Sequence, residues 1–590
     1  MFAPGSVLLH DTIAPHGQNL LFTKPHKVLQ AHDAASARRA LAELDAAKSA
    51  GHHAAGYLSY DLGFVFEERL APLLDRPRAM PLLWLGIYDA PQSLNAEQVQ
   101  AIFSNENVGI GRAKNIQPAI TEPQYAKAFA AVKELITAGD TYQVNLTFKA
   151  GFDLEGDPIG LYRDLVQKQP VGYGALINTG SHWILSRSPE LFVSLRGDQL
   201  SARPMKGTRK RGRNCAEDAA GRKALAADSK NRAENLMIVD LLRNDLSRIS
   251  EIGSVKVTDL FTVETYRTLH TMTSGITSQL RRGVTTSQIL ENLFPCGSIT
   301  GAPKLRAMEI IADVETSSRG LYTGSIGHFA PNGDLTLNVA IRTAVIDAAG
   351  KGEIGIGGGI VADSECSDEY REALLKMAFF TEPVQDVTLI ETLLWQRDAG
   401  YSLLDRHLDR LGASARYFDL PFDRDTVTAL LDSQDFAGDA MRVRLTLDKA
   451  GAALTSVPLP PNPEIFRFTI ADSKLQSNSL WLAHKTTNRS FYDEPRQRAQ
   501  AKLAVDEVVF LNERDELAEG SITNIFIERD GQLLTPPLDA GLLPGTLRAE
   551  LLDNGLAMEQ LLTLADLEAA DAIYLGNSVR GLLRAHWIKS

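Results

Sequence analysis

The alternation of apolar and polar positions divides the chain into elements. Residues 31–51 carry apolar side chains at helical spacing and stop at Gly51, which predicts an amphipathic helix. GYLSYDLG (56–63) and LLWLGIYDA (82–90) are apolar runs of strand length. A second helix is expected over 121–139, with Thr121, Glu122 and Pro123 at its start and Gly139 at its stop. HWILSRS (182–188), LFVSL (191–195), GSIGHFA (324–330) and LTLNVAIRTAVI (335–346) predict strands, and helices are expected over 231–242 and 367–380.

A second unit begins near Val384. There LIETLLWQRDAGYSLLDRHLDRLGASARYFDLP (389–421) reads as strand, glycine turn and amphipathic helix. In VPLPPNPE (457–464), Pro458, Pro460, Pro461 and Pro463 favour extended backbone and oppose a helix. Roughly 70 residues precede that spacer within the second unit, too few for a comfortable independent core, so it is read as dividing two subdomains. The expectation is a multidomain α+β protein with units at 1–383 and 384–590.

Composition narrows the function classes. A chain of 590 residues, 44% hydrophobic and 23% charged, can bury more than one core. Sixty-one Lys and Arg against 73 Asp and Glu give a net charge of -12, which argues against a polyanion-coating protein and leaves a locally positive pocket open. Cys215, Cys296 and Cys366 are too few and too scattered for a disulfide framework or a CxxC metal site. The opening residues lack a signal-peptide pattern, and no stretch reaches ~18 apolar residues. A cytoplasmic protein that engages neither membrane nor nucleic acid is expected.

Five polar clusters lie within 139–372: GDTYQVNLT (139–147), SRSPELF (186–192), PMKGT (204–208), RAENLMIVDLLRNDL (232–246) and GSITGAPK (297–304). Glycine turns of this kind expose N–H donors that cradle a carboxylate as readily as a phosphate, and no Walker A pattern accompanies them. Glu369 and Glu372 stand three apart in SDEYREALLKMAFF (367–380), so on a helix both carboxylates can face one cavity.

Together these clusters resemble the chorismate-utilising enzymes, and most closely the aminodeoxychorismate synthase branch related to anthranilate and isochorismate synthases. The likeness is strong over roughly 120–380 and weaker before it. It implies a large α+β fold with a deep magnesium-dependent site. Glu234 and Glu372 would bind Mg2+ directly, with Glu369 in support. Two departures bear on the ligand count: Asn231 stands where related sequences often have an acid, and Cys366 where they often have proline.

The PMKGT context gives Lys206 the role of covalent nucleophile toward C2 of chorismate, provided that its amine is neutral. Glu190 matches the general acid and base for the C4 leaving group, and His270 in ETYRTLHTM (264–272) is a secondary candidate for orienting it. Tyr322 and Arg342 match carboxylate-holding positions. Thr300, Gly301, Gly357, Gly358 and Gly359 would supply close backbone contacts.

The later clusters DRHLDRL (405–411), HKTTNR (484–489), LAEGSITNIF (517–526), GLLPGTLR (541–548) and GNSVRG (576–581) resemble the fold-type IV pyridoxal-phosphate (PLP) family, nearest its 4-amino-4-deoxychorismate lyases. That resemblance makes Lys485 the cofactor-linked lysine and proton-transfer base, and Glu519 the partner of the pyridine nitrogen. Arg410, Gly545 and Thr546 would hold the phosphate. Ser521 and Asn524 would order the pocket, with Ser578 and Arg580 near phosphate or substrate.

Joined, the two resemblances imply synthesis of 4-aminobenzoate from chorismate and ammonia. No Gly-x-Cys-x-Gly elbow is found, so ammonia would enter freely or from a separate glutamine amidotransferase subunit. A homodimer through the PLP unit is compatible with this reading. The alternatives are an anthranilate-forming first unit, a branched-chain or D-amino-acid aminotransferase second unit, or an inactive scaffold for an amidotransferase.

Overall fold

The computed structural model describes residues 2–14, 19–105, 107–267, 269–381 and 386–589. The chain forms two compact α+β units, one of Met1–Lys210 and Arg222–Val384, the other of Arg211–Gly221 and Gln385–Ser590. The division expected at 383/384 falls at 382–385, outside the described residues.

Unit 1 is built on two ten-stranded sheets. In the first, the long strands Gln143–Gly156 and Lys351–Ile360 pair along ten residues. In the second, Leu269–Gln279 is flanked by Gln199–Arg203, Met205–Lys210 and Lys256–Thr265. Helix Glu122–Thr137 starts as its sequence predicts. The backbone of Thr121 donates to Gln124 Oε1 at 2.8 Å, and Tyr125, Phe129 and Val132 form one buried stripe. Gly139, at φ 83°, follows its end.

Other boundaries move for visible reasons. The first helix is Ala34–Ser49, because Ala31 belongs to strand Lys27–Ala31 and Asp33 caps the helix by accepting from the Ser36 amide at 2.7 Å. The 231–242 helix extends to Ser229–Ser247, and the expected 367–380 helix breaks into Cys366–Leu375 and Ala378–Thr381.

The expected strand 335–346 divides. Leu335–Asn338 lies in the second sheet and Thr343–Asp347 in the first. HWILSRS and LFVSL likewise fall in different sheets, as His182–Ser188 and Leu191–Arg196. The two crossings are stitched together: Val339 N donates to Glu190 O at 3.0 Å, and Arg187 N to Arg342 O at 3.0 Å.

Unit 2 has a four-stranded antiparallel sheet and an eight-stranded mixed sheet. Helices Leu404–Phe418 and Arg424–Asp432 cover one face of the smaller sheet, burying Leu408, Leu411, Ala415, Val427 and Leu431 against Leu393, Val443 and Leu445. Val457 and Pro458 still belong to strand Gly451–Pro458, so the proline-rich spacer begins two residues later than its composition suggests. That strand is at the sheet edge, where proline costs no ladder bond. Among the described residues no helix is long and apolar enough to cross a membrane.

Candidate active sites

Unit 1 encloses a cavity of about 360 Å³ where its two sheets exchange strands. Lys206 reaches it from strand Met205–Lys210, whose register against Leu269–Gln279 slips between Met205 and Thr208, with Gly207 at φ 84°. A bulge of this kind re-aims a side chain out of the regular alternation. Lys206 is half-buried by accessible surface, yet closely enough surrounded that desolvation dominates and lowers its amine below the usual lysine range.

Glu190 lies at one sheet crossing and Arg342 at the other, the latter with φ 50°. The Glu190 carboxyl is buried, accepts from Ser298 Oγ at 2.6 Å, and is pushed up to about 7 by desolvation. Burial lowers Arg342 to about 10; its guanidinium carbon is 5.9 Å from the centre of the Phe379 ring. Tyr322 also lines the cavity and fits because residue 355 is glycine: a Cβ there would stand 2.1 Å from its ring. Gly359 has a comparable reason, since its Cβ would come within 2.8 Å of Lys206 Nζ and 3.0 Å of Gln143 Nε2. The Gln143 amide is wholly buried, and among the described residues neither of its polar atoms has a hydrogen-bond partner.

Glu234, from helix Ser229–Ser247, shares the cavity with Glu369 and Glu372 from helix Cys366–Leu375. Desolvation raises Glu234 and Glu369, whereas the Lys376 ammonium, 2.9 Å from Glu372, holds that carboxyl low. Hard carboxylate oxygens whose burial disfavours their charge fit a divalent cation such as Mg2+. They are not drawn together as a closed ligand set: among the described residues, the only His/Cys/Asp/Glu triplet with ligand atoms within 4.8 Å of one another is His26, His52 and Asp89, none of which lines this cavity.

Three sequence candidates are placed apart from the cavity lining. His270 is fully buried, with Nδ1 3.0 Å from Thr265 Oγ1. Thr300 Oγ1 donates to Gly297 O at 3.0 Å, and Gly301 allows close approach to Gln143 O, 2.1 Å from where a Cβ would be. From the same segment, Ser298 and Ile299 are the residues that reach the cavity.

In unit 2, Arg410, Lys485, Glu519, Ser521, Asn524, Gly545, Thr546, Ser578 and Arg580 line one cavity of about 590 Å³. The Lys485 backbone is anchored by Ile390 N, which donates to its carbonyl at 2.8 Å; desolvation and the Arg410 charge lower its amine to about 8. Glu519 accepts from the Tyr492 hydroxyl and, at 2.8 Å, from Leu543 N, while burial pushes its carboxyl up to about 8. A cationic ring nitrogen opposite it would offset that desolvation.

At the other end, Gly545 caps helix Thr546–Asp553, whose first amides suit a phosphate. A Cβ on Gly545 would stand 1.8 Å from Asn524 Oδ1, so glycine lets the Asn524 side chain lie close against this turn. Arg410 grips Glu391 in two-point fashion at 2.9 and 2.6 Å, and Glu391 Oε2 also lies 2.6 Å from His407 Nδ1. This buried carboxylate, not singled out in the sequence, orients the arginine assigned to the phosphate. A lysine, an opposed carboxyl and an amide-rich turn around one cavity fit PLP.

Residues 7–382 match the chorismate binding enzyme family and residues 388–588 the amino-transferase class IV family. The chain is similar to aminodeoxychorismate synthase component 1 of Bacillus subtilis (strain 168), 40% identical over 272 residues, covering 46% of this chain and 57% of that one. It is similar as well to anthranilate synthase component 1 of Pseudomonas aeruginosa, 40% identical over 266 residues, covering 45% and 54%. The chain thus spans little more than half the length of these relatives. The crystal structure of anthranilate synthase component I from Streptococcus pneumoniae TIGR4 superposes with a TM-score of 0.55 at 26% identity, covering 62% of this chain and 92% of that one. The chain belongs to the chorismate binding enzyme family and carries an amino-transferase class IV unit after it.

Proposed function

We propose that the chain makes 4-aminobenzoate in two consecutive reactions. Unit 1 converts chorismate and ammonia to 4-amino-4-deoxychorismate; unit 2 removes pyruvate from that product. The observation that carries the first assignment is the bulge that turns Lys206, with its lowered amine, into the same cavity as Glu190. The neutral amine attacks C2 as the C4 hydroxyl leaves, taking a proton from Glu190; ammonia then enters at C4 and expels the lysine from C2. Arg342 and Tyr322 hold a substrate carboxylate. Glu234 and Glu372 would hold Mg2+ against another, with Glu369 in support, and the ion would neutralise that charge.

In unit 2, bound PLP would act as an electron sink. Lys485 holds the cofactor and then, as a free amine, moves the ring proton of the substrate. Glu519 keeps the opposite ring nitrogen protonated, and Arg410 with the Gly545–Thr546 turn holds the phosphate. Ammonia would come from solution or from a separate glutamine amidotransferase.

The test is incubation of the purified chain with chorismate, Mg2+, ammonium and PLP. Release of 4-aminobenzoate and pyruvate is expected. Anthranilate instead would reassign unit 1, and accumulation of 4-amino-4-deoxychorismate would remove the lyase activity.

A further inference from the structure

The cationic side chains lining the unit 2 cavity differ in whether protein groups already occupy them. Arg410 is held by Glu391, Arg489 by Asp493, and Arg580 by the neutral amide of Asn462. Arg442 and Arg444 also line the cavity, and among the described residues neither guanidinium has a hydrogen-bond or ion-pair partner.

Their placement follows from strand periodicity. On Ala440–Asp448, Met441, Val443, Leu445 and Leu447 enter the core, so Arg442 and Arg444 share the opposite face. Arg444 lies across from Thr392 and Thr455, and Arg442 across from Val457; these three neighbours line the cavity too. The open face of the small sheet is therefore one wall of the cavity. Arg442 and Arg444 are exposed, stand about 7 Å apart along one strand, and have no acid paired with them among the described residues, so their donors are open to an anion entering the cavity.

The two arginines occupy successive outward-facing backbone positions along this wall. Lys485 is tied to Ile390, which lies opposite Thr446; Arg444 and Arg442 follow about 7 and 14 Å further along the strand. Two arginines at separate positions can each take one carboxylate of a dicarboxylate, whereas a simple α-amino acid such as alanine offers only one. In 4-amino-4-deoxychorismate one carboxylate lies across the ring from the amine and a second on the enolpyruvyl arm.

We propose that Arg442 and Arg444 are the specificity-determining pair of the unit 2 cavity, selecting a cyclic amine with two remote carboxylates over an α-amino acid. This rests on the lyase reading of that cavity and adds the residues that would enforce it.

The experiment uses the full-length PLP-loaded chain with Arg442→Gln, Arg444→Gln and the double substitution. Bound PLP and its absorbance should be unchanged. KM for 4-amino-4-deoxychorismate should rise about 10- to 100-fold per arginine with kcat nearly constant, as expected for loss of a charge-assisted hydrogen bond. Any spectral change that D-alanine produces in the unsubstituted chain should be the same in the variants. An unaltered KM in the double variant overturns the proposal while leaving the lyase reading intact.

If the unsubstituted chain does not cleave 4-amino-4-deoxychorismate, the lyase reading fails by itself. Calorimetric binding of 3-(1-carboxyvinyloxy)benzoate, a dicarboxylate without the amine, then decides. Binding lost in the double variant supports the arginine pair; equal binding, or none in either protein, overturns it. If a glutamine variant loses PLP, Arg442→Lys and Arg444→Lys, which keep charge but lose two-point geometry, are read by the same KM and binding measurements, with a raised KM expected and an unchanged one overturning the proposal.

Discussion

Ser298 Oγ donates a 2.6 Å hydrogen bond to Glu190 Oε1, and that bond opposes the burial that pushes the Glu190 carboxyl up to about 7. The balance leaves a substantial protonated fraction near neutral pH. A group acting as acid in the first step is active below its own pKa, so at a fixed concentration of neutral ammonia the contribution of Glu190 to chorismate conversion should fall as pH rises through about 7. Ser298→Ala removes a donor to the charged form, which should raise the pKa further and extend activity to higher pH. A pH–rate profile displaced to lower pH would contradict this coupling. Glu190→Gln should lower turnover by roughly 10²–10⁴-fold.

Lys206→Ala separates covalent attack by the lysine from direct addition of ammonia. It should abolish most 4-amino-4-deoxychorismate formation while unit 2 keeps its PLP, because Lys206 and Lys485 line different cavities. Unchanged synthase kinetics across an ammonium titration would rule out covalent attack by this lysine.

Chelation distinguishes the cavity proposed to hold Mg2+ from the cavity proposed to hold PLP. EDTA should stop chorismate conversion, since Glu234, Glu369 and Glu372 line only the unit 1 cavity. Cleavage of supplied 4-amino-4-deoxychorismate should continue at its original rate. Loss of that second reaction with PLP still bound would show that the division of labour is wrong.

How far the sequence was legible depends on whether a signal is local. The start of helix Glu122–Thr137 rests on neighbours within one turn and was readable. The sheet crossings at Glu190 and Arg342 were not: 335–346 has the apolar content of one strand, and only pairing partners distant in sequence divide it between two sheets. The motifs nevertheless located both side chains, because their residue types survive an error in the backbone reading. Glu391 escaped notice because LIETLLWQ reads as an ordinary strand, and its grip on Arg410 joins positions 19 apart. Arg442 and Arg444 look like the solvent face of an alternating strand, and only the cavity distinguishes them from one.

Glu391 gives a prediction independent of catalysis. It is fully enclosed, and Arg410 and His407 hold its carboxyl far below the usual range despite burial. Glu391→Ala would leave Arg410, half-buried at the cavity, without its counter-charge, at a cost below the about 3–5 kcal/mol of breaking a fully buried pair. A fall in the thermal midpoint of the PLP-free chain should accompany weaker PLP binding. An unchanged midpoint would show that the pair contributes no net stability.

Lys485→Ala tests the second reaction most directly. A lysine amine must be neutral to take up the cofactor and must later accept a proton, and burial beside Arg410 lowers this amine to about 8. Uptake of PLP by the apo chain should therefore accelerate as pH rises through about 8, because the neutral fraction grows. Without the lysine amine, the absorbance of protein-linked PLP should disappear and pyruvate release should stop. Unit 1 should still consume chorismate with Mg2+ and ammonium, so 4-amino-4-deoxychorismate should accumulate. If Lys485→Ala formed 4-aminobenzoate at the unsubstituted rate, after subtraction of nonenzymatic turnover, another residue would have to be the base and Lys485 would be only one cation in a basic pocket.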